Sequence, residues 1–174
     1  MLQKYTKTAV SLHWLIAFFI LIAFPLGLYM SDLALSPLKL KLYAYHKWIG
    51  ISVLGLFFVR ILWRLSHRPP QLPKTLHAWE KGLSHGVHML IYLLLLAVPL
   101  TGWLHSSAAG VSVVYLNLIH LPNLVSKNKE LSDLLKEIHE TLNWTLLALV
   151  GLHVLGALKH QLRDKINILS RMTY

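Results

Sequence analysis

The stretch from Glu137 to His160, EIHETLNWTLLALVGLHVLGALKH, decides how the rest of the chain is interpreted. It is apolar and long enough to cross a bilayer as one helix. His139 and His153 lie 14 residues apart within it. That is just under four helical turns, so both imidazoles lie on nearly the same face, roughly 21 Å apart along the axis. Because imidazoles inside a membrane span are costly and usually functional, we interpret them as ligands to two cofactors at two depths.

The composition places the chain among membrane proteins. Of its 174 residues, 55% are hydrophobic and only 14% are charged, which is rare in a soluble domain. The formal net charge of +10 is typical of basic loops that face anionic lipid, so we expect no nucleic-acid partner. The lack of cysteine excludes disulfides, iron–sulfur clusters and thiolate-ligated haem. The first apolar run is too long for the core of a cleavable signal peptide.

Four apolar runs predict an all-α integral membrane protein, a single four-helix bundle over residues 1–174. Each run is long enough to span a bilayer, and proline-rich or polar segments separate them. The segment before the fourth run is too polar to cross, although VSVVYLNLIHL suits a short interfacial piece. We expect Ser132 to cap the fourth helix. The predicted helices cover about 8–30, 42–65, 83–104 and 133–160, with a long periplasmic loop at about 105–132.

Loop charges orient this bundle. The positive-inside rule predicts that both termini lie in the cytoplasm. The predicted cytoplasmic side carries Lys4, Lys7, Arg60, Arg64, Arg68, Lys74, Lys81, Lys159, Arg163, Lys165 and Arg171. The predicted outer side carries the smaller set Lys39, Lys41, Lys127, Lys129 and Lys136, partly offset by Asp32, Glu130, Asp133 and Glu137.

With this orientation the histidines fall at two levels. His13 on the first helix and His153 on the fourth reach the same inner level, whereas His46 on the second helix and His139 on the fourth reach the same outer level. Each level therefore offers two imidazoles from different helices, the arrangement that clamps a six-coordinate haem inside a bundle. A single histidine at such a position is often an interfacial residue or an interhelical hydrogen bond. Four at two matched levels favour ligation of haem iron.

Two alternatives remain at this point. A zinc site would need three or four ligands at one level with a carboxylate nearby, and the spans have almost no acidic residues. Small residues one turn from the candidate ligands would let a macrocycle lie against the backbone, or would simply promote helix–helix contact. They are Ala9, Ala17, Gly50 and Ala157.

Four motifs carry a resemblance to a known family: SLHWLIA, HKWIGI, SHGVHMLIYLLL and IHETL followed by GLHVLGALKH. Together they resemble the bacterial cytochrome b561 family of dihaem membrane proteins, from about Thr8 to Met172. The resemblance implies two b haems in a four-helix bundle. It matches His13 and His153 to the inner ligands and His46 and His139 to the outer ligands. Some members are superoxide:ubiquinone oxidoreductases, which implies superoxide as donor and ubiquinone as acceptor.

Further histidines are candidates at the inner end. His160 lies two turns after His153 on nearly the same face and matches a family histidine at the quinone end. The alternative for His160 is a basic helix end anchored to lipid phosphate. His85 and His88 are weaker candidates to line the inner haem pocket or the quinone site, and the alternative for both is an interfacial position.

Basic residues at both ends have two interpretations. Arg60, Arg64 and Lys159 could pair with haem propionates, or they could reflect the positive-inside rule alone. A set of outer lysines could steer a small anion such as superoxide, or belong to a solvated loop. This set is Lys39, Lys41, Lys47, Lys127 and Lys129.

The sequence thus favours an oxidoreductase that transfers electrons across the membrane, with haem supplying the chemistry. Within this class, the chain could instead be a cytochrome b subunit for a separate dehydrogenase or hydrogenase, with the long outer loop docking the redox protein partner. A different class is a small non-redox transporter of metal ions or protons. Spans without acidic residues count against the transporter.

Overall fold

The computed structural model describes residues 4–71, 73 and 75–173. Within them, four helices are long and apolar enough to span a membrane: α1 (Lys7–Asp32), α2 (Pro37–Ser66), α3 (Ala78–Ala108) and α4 (Lys129–Leu162). An antiparallel hairpin of β1 (Val114–Tyr115) and β2 (Ile119–His120) lies between α3 and α4, and a 3₁₀ turn (Leu169–Met172) follows α4. The prediction of an all-α membrane bundle is confirmed, with the hairpin as a small departure.

Each helix extends beyond its predicted span because polar capping residues lie outside the apolar runs. Ser36 Oγ accepts a hydrogen bond from the backbone N–H of Lys39 at 3.3 Å, and Pro37 is the first residue of α2. Both are strong helix-start signals. At the start of α3, Glu80 Oε2 accepts from the backbone N–H of His77 at 3.0 Å. The predicted bounds followed hydropathy and therefore left out these first turns.

The predicted cap of the fourth helix was wrong. Asn128 is the N-cap of α4, and its Oδ1 accepts from the backbone N–H of Leu131 at 3.0 Å. Ser132 lies one turn inside the helix, where it is buried, and its Oγ lies 3.2 Å from Nδ1 of His105 on α3. The first turn of α4 is charged and has no apolar periodicity, so the hydropathy pattern predicted a start that is too late.

The helices do not pack against one another equally. α1 packs on α2, α2 on α3, and α3 on α4. The buried apolar cluster comes from the first three helices, with Ile16, Val53, Phe57 and Leu95 at its centre. Among the described residues, α4 has few close backbone approaches to α1 or α2. Side chains rather than backbones therefore bridge α4 to those two helices.

The C-terminal segment folds back onto the inner end of the bundle. Arg171 is 2% exposed, and its Nη2 donates to the carbonyls of Pro70 at 3.0 Å and Gln71 at 2.9 Å. The backbone N–H of Tyr5 donates to the Arg171 carbonyl at 3.2 Å. Arg171 is therefore a structural residue, whereas the sequence placed it in a basic tail. Lys74, from the same predicted basic set, lies outside the described residues.

The predicted interfacial piece of the outer connection is the β1–β2 hairpin. Leu116 and Asn117 have positive φ angles of 53° and 58°, as expected of a tight turn that follows the right-handed twist of two strands. The hairpin packs against α2, where Trp48 Nε1 donates to the Val114 carbonyl at 2.7 Å and Ser52 Oγ lies 3.0 Å from the Tyr115 hydroxyl. The outer loop is therefore anchored to the bundle.

Candidate haem centres

Two histidine pairs span the bundle at two depths. The ring centres of His13 on α1 and His153 on α4 are 6.1 Å apart, with 72° between their planes. Those of His46 on α2 and His139 on α4 are 6.3 Å apart, with 85° between planes. An imidazole nitrogen binds a transition metal at about 2.0–2.1 Å, so two rings on opposite sides of one ion have centres about 6 Å apart. Both pairs have the spacing that a bis-histidine metal centre requires.

These pairs join helices whose backbones stay apart. The inner pair connects α4 to α1 and the outer pair connects α4 to α2, and neither helix pair packs closely among the described residues. A flat macrocycle between two imidazoles needs such a separation, because helices in direct contact leave no room for it. The packing of the helices therefore fits a haem at each level.

A hydrogen bond fixes the orientation of the outer histidine on α4. His139 Nδ1 lies 2.9 Å from the carbonyl oxygen of Val98 and 3.3 Å from the hydroxyl of Thr101, both on α3. Since the carbonyl can only accept, His139 carries its proton on Nδ1 and its Nε2 is left with a free lone pair. Metal-ligating histidines are usually held in this way by a backbone carbonyl. The donor chemistry of His139 therefore fits an iron ligand.

The other outer histidine, His46, has a buried Nδ1 that makes no hydrogen bond of normal geometry in the described part of the chain, although its ring lies near the Ala23 carbonyl of α1. Buried polar atoms almost always have a partner, so each exception needs an explanation. A ring positioned to serve a metal explains this one, because its place is then set by the ligand bond.

Two glycines on neighbouring helices make room for the outer rings. A Cβ atom at Gly27 would lie 3.1 Å from His46 Cε1, and one at Gly102 would lie 3.0 Å from His139 Cε1. Both rings therefore lie directly against bare helix backbone. Both glycines lie on a neighbouring helix, whereas the small residues predicted to face the haems lie one turn from each histidine on its own helix. A Cβ at Gly50, one of these small residues, would meet nothing within 4 Å in the described structure.

A signal for these glycines exists in the sequence. Gly27 follows Pro25 by two residues, and Gly102 follows Pro99 by three, each near the outer end of an apolar span. A proline and a glycine so close together inside a membrane helix indicate a local requirement for space.

Polar neighbours surround the inner pair. The ring of His88 on α3 lies 4.9 Å from that of His153, at 85° between planes. Arg60 on α2 donates from Nη1 to the Ala9 carbonyl at 3.2 Å, one turn before His13. The structure thus places His88, a weaker candidate, beside the inner pair. His85 and His88 are both exposed, and the Nδ1 of each lies 2.6 Å from the carbonyl one turn earlier on α3. Among the described residues, only His88 of these two has a ring contact with the pair.

A family model described as "Prokaryotic cytochrome b561" matches residues 4–174. The chain belongs to this family. It is 33% identical over 181 residues to the probable superoxide oxidase CybB of Yersinia pestis, a match that covers 98% of this chain and 96% of that protein. It is 29% identical over 171 residues to cytochrome b561 homolog 2 of Escherichia coli K12, covering 98% and 91% of the two chains.

Family membership and the four spans establish the general class. The chain is a multi-pass prokaryotic membrane protein of a haem b family whose role is membrane electron transfer, and it is an oxidoreductase in this general sense. The residues present fit haem, because each level offers two imidazoles at the required spacing.

The predicted quinone candidate lies in a charged group at the inner end. His160 Nδ1 lies 2.7 Å from Asp164 Oδ2, and Lys159 bonds both Asp164, at 3.0 Å, and the buried carboxylate of Glu80. Hydrogen bonds from Lys159, and then from His160, lower the pKa of Asp164. Because Lys159 is held by two protein carboxylates, it is not free for a haem propionate. Sequence analysis missed this group because Glu80 lies 79 residues from Lys159.

The outer lysines do not form a single group. Lys39 Nζ donates to the carbonyls of Ser31 at 3.1 Å and Leu33 at 2.5 Å, so it serves the end of α1. The aliphatic chain of Lys127 packs on Gly110, where an added Cβ would lie 2.9 Å from Lys127 Cδ. Lys47 is half-buried and directly follows His46. Of the five predicted lysines, Lys47 is the one that is adjacent in sequence to an outer histidine.

Proposed function

We propose that this protein carries electrons across the membrane through two bis-histidine b haems, from superoxide at the outer face to ubiquinone at the inner face, with both termini in the cytoplasm. The observation that carries the proposal is the pair of imidazole couples with ring centres 6.1 and 6.3 Å apart. The haems would supply reversible one-electron chemistry. The likeness to a relative named probable superoxide oxidase supports superoxide as donor.

The chain's contribution at the outer level is to hold and orient two imidazoles. The Val98 carbonyl fixes the tautomer of His139, which raises the basicity of its Nε2. Gly27 and Gly102 let both rings approach the helix backbone. The positive charge of Lys47, next to His46, would attract a small anion toward this level.

The overall reaction transfers two electrons and two protons to each ubiquinone. Two superoxide anions each lose one electron and become dioxygen. Ubiquinone gains these two electrons and two protons and becomes ubiquinol. The protons enter at the inner side, and a residue that exchanges protons near neutral pH is therefore needed there.

His160 is the residue proposed for this task. It lies seven residues after His153, so roughly 10 Å closer to the inner surface and near the same face. Its Nδ1 donates to Asp164, so Nε2 would donate a hydrogen bond to a quinone carbonyl in the imidazolium form and would accept a proton in the neutral form. The carboxylate of Asp164 would stabilise the imidazolium form between two proton transfers.

Stopped-flow spectroscopy on the purified, haem-loaded protein tests the proposal. Superoxide should reduce the haems, and ubiquinone should reoxidise them. The variant His160→Ala should keep both haem spectra and superoxide-driven reduction but slow reoxidation, whereas the control Arg163→Gln should behave as wild type. If ubiquinone reoxidises His160→Ala at the wild-type rate, the quinone site lies elsewhere, and His88 with His85 is the next place to test.

A second candidate, a cytochrome subunit that accepts electrons from a protein partner, is favoured by the outer hairpin. Its tip exposes Leu116 (50%), Leu118 (80%) and Ile119 (56%), which would suit a docking surface. The same stopped-flow experiment separates the two functions. Haems that superoxide cannot reduce in the isolated protein would favour the subunit.

A further inference from the structure

The inner end of the bundle holds a basic cavity whose exposed arginines, Arg64 and Arg68, have no part in the proposed electron transfer. It lies between the start of α1, the end of α2 and the middle of α3, is open to solvent on one side, and has a cavity volume of about 70 Å³. Its cationic wall comes from Lys4, Arg60, Arg64 and Arg68. Among the described residues, no carboxylate lines it.

The cavity's cations are not neutralised within the described structure. Of the chain's seven acidic residues, five lie on the outer side of the bundle. The two on the inner side, Glu80 and Asp164, are both bonded to Lys159, and none of these three lines the cavity. No ion pair of the described residues includes Lys4 or any of the cavity's arginines. The cavity therefore presents unpaired positive charge.

The innermost arginine already has protein partners. Arg60 Nε donates to the Tyr92 hydroxyl at 3.0 Å and its Nη1 donates to the Ala9 carbonyl. Arg64 contacts the face of the Tyr92 ring, 5.4 Å from its centre, and both Arg64 and Arg68 are exposed. Their guanidinium donors remain available to a ligand from outside the chain.

The rest of the wall is aromatic and rigid. Trp63 Nε1 donates to the Thr6 hydroxyl at 2.9 Å, and the Trp63 ring stacks on His67 at 3.9 Å between centres. Tyr5 is fixed by the buried Arg171, 5.6 Å from its ring centre. Tryptophan and tyrosine at a helix end are typical of the level of lipid headgroups. The cavity therefore joins phosphate-binding cations to an interfacial aromatic wall.

We infer that this cavity binds the phosphate of an anionic phospholipid headgroup. Arginine guanidinium groups bind phosphate oxygens in pairs of hydrogen bonds, and basic pockets between membrane helices on the cytoplasmic side select anionic lipids. The lipid would hold together the α1 start and the α2 end, the two elements that form the cationic wall.

Native mass spectrometry and thermal unfolding of the full-length, haem-loaded protein in detergent test this inference. Phosphatidylglycerol should bind and raise the unfolding temperature, whereas phosphatidylcholine and inorganic phosphate should not. The double variant Arg64→Gln/Arg68→Gln should bind phosphatidylglycerol roughly tenfold or more weakly. The matched control Arg163→Gln/Lys165→Gln removes the same charge just after the end of α4, outside the cavity, and should keep wild-type binding.

Several results would overturn the inference. Equal binding of both lipids by the wild type would show a non-selective surface. This comparison uses only the wild-type protein, so it does not depend on whether a variant folds. An equal loss in both double variants would show a general charge effect. The same stabilisation by inorganic phosphate would assign the cavity to a soluble anion. A lost or shifted inner haem signal with unchanged lipid binding would assign the arginines to haem propionates.

Discussion

The two histidine levels are built in different ways. At the outer level the rings lie against bare backbone at Gly27 and Gly102, and a backbone carbonyl orients His139. At the inner level a third imidazole, His88, contacts His153. The outer site is therefore shaped by the lack of side chains, and the inner site by additional polar ones. Substitutions that add volume should damage the outer level, whereas substitutions that change polarity should alter the inner level.

The largest expected effect comes from removing one ligand at each level. His46→Ala should lose only the outer haem and His13→Ala only the inner haem, because each ring belongs to a separate pair. The haem-to-protein ratio should fall from about two to about one in each variant. The reduced-minus-oxidised spectra of the two variants should sum to that of the wild type. A wild-type ratio near one would disprove the two-level arrangement.

Added volume at the outer level should have the next largest effect. In Gly102→Ala the new methyl group would lie 3.0 Å from His139 Cε1, and overpacking of this kind costs about 1–3 kcal/mol. The outer haem should dissociate at lower temperature while the inner haem signal is unchanged. Gly55→Ala is the control, since a Cβ there meets nothing within 4 Å. Equal behaviour of the two variants would contradict the role of Gly102.

Changing the inner polar neighbour should have a smaller effect. His88→Phe keeps a ring beside His153 but removes both nitrogens, so the inner midpoint potential should shift while both haems are retained. A redox titration followed at the two haem bands measures this. His85→Phe is the control, because His85 has the same exposure and the same bond to its own helix but, among the described residues, no ring contact with His153. A shift confined to the outer band would show that the levels are wrongly assigned.

The smallest expected effect is at the inner end of α4. The pKa of Asp164 is lowered by its bonds to Lys159 and His160. Its contribution to the stability of the folded state is therefore present above the unfolded carboxyl pKa of about 3.9 and is lost only as pH falls below that value. Hydrogen exchange at the last turn of α4, corrected for intrinsic rates, should therefore not increase between pH 8 and 5. Asp164→Asn should increase exchange there throughout this pH range. A loss of protection in the wild type between pH 6 and 5 would contradict this assignment.

The sequence by itself determined the number of spans, the membrane class and the two-level order of the histidines. Apolar runs of bilayer length can form only helices or barrels in lipid, so hydropathy specifies the spans. The 14-residue spacing of His139 and His153 specifies their common face, because helical geometry is local. The family motifs were equally local, and the membership that they implied is confirmed by the family match.

The tertiary structure decided everything that depends on which helices meet. It brought Gly27 against His46, Gly102 against His139, and Glu80 against Lys159. It also left α4 apart from α1 and α2, so that imidazoles bridge these helices. Such contacts join residues tens of positions apart, and no periodicity within one helix encodes them. Local chemistry therefore specifies the elements of a membrane bundle, and packing between the helices specifies where its ligands can lie.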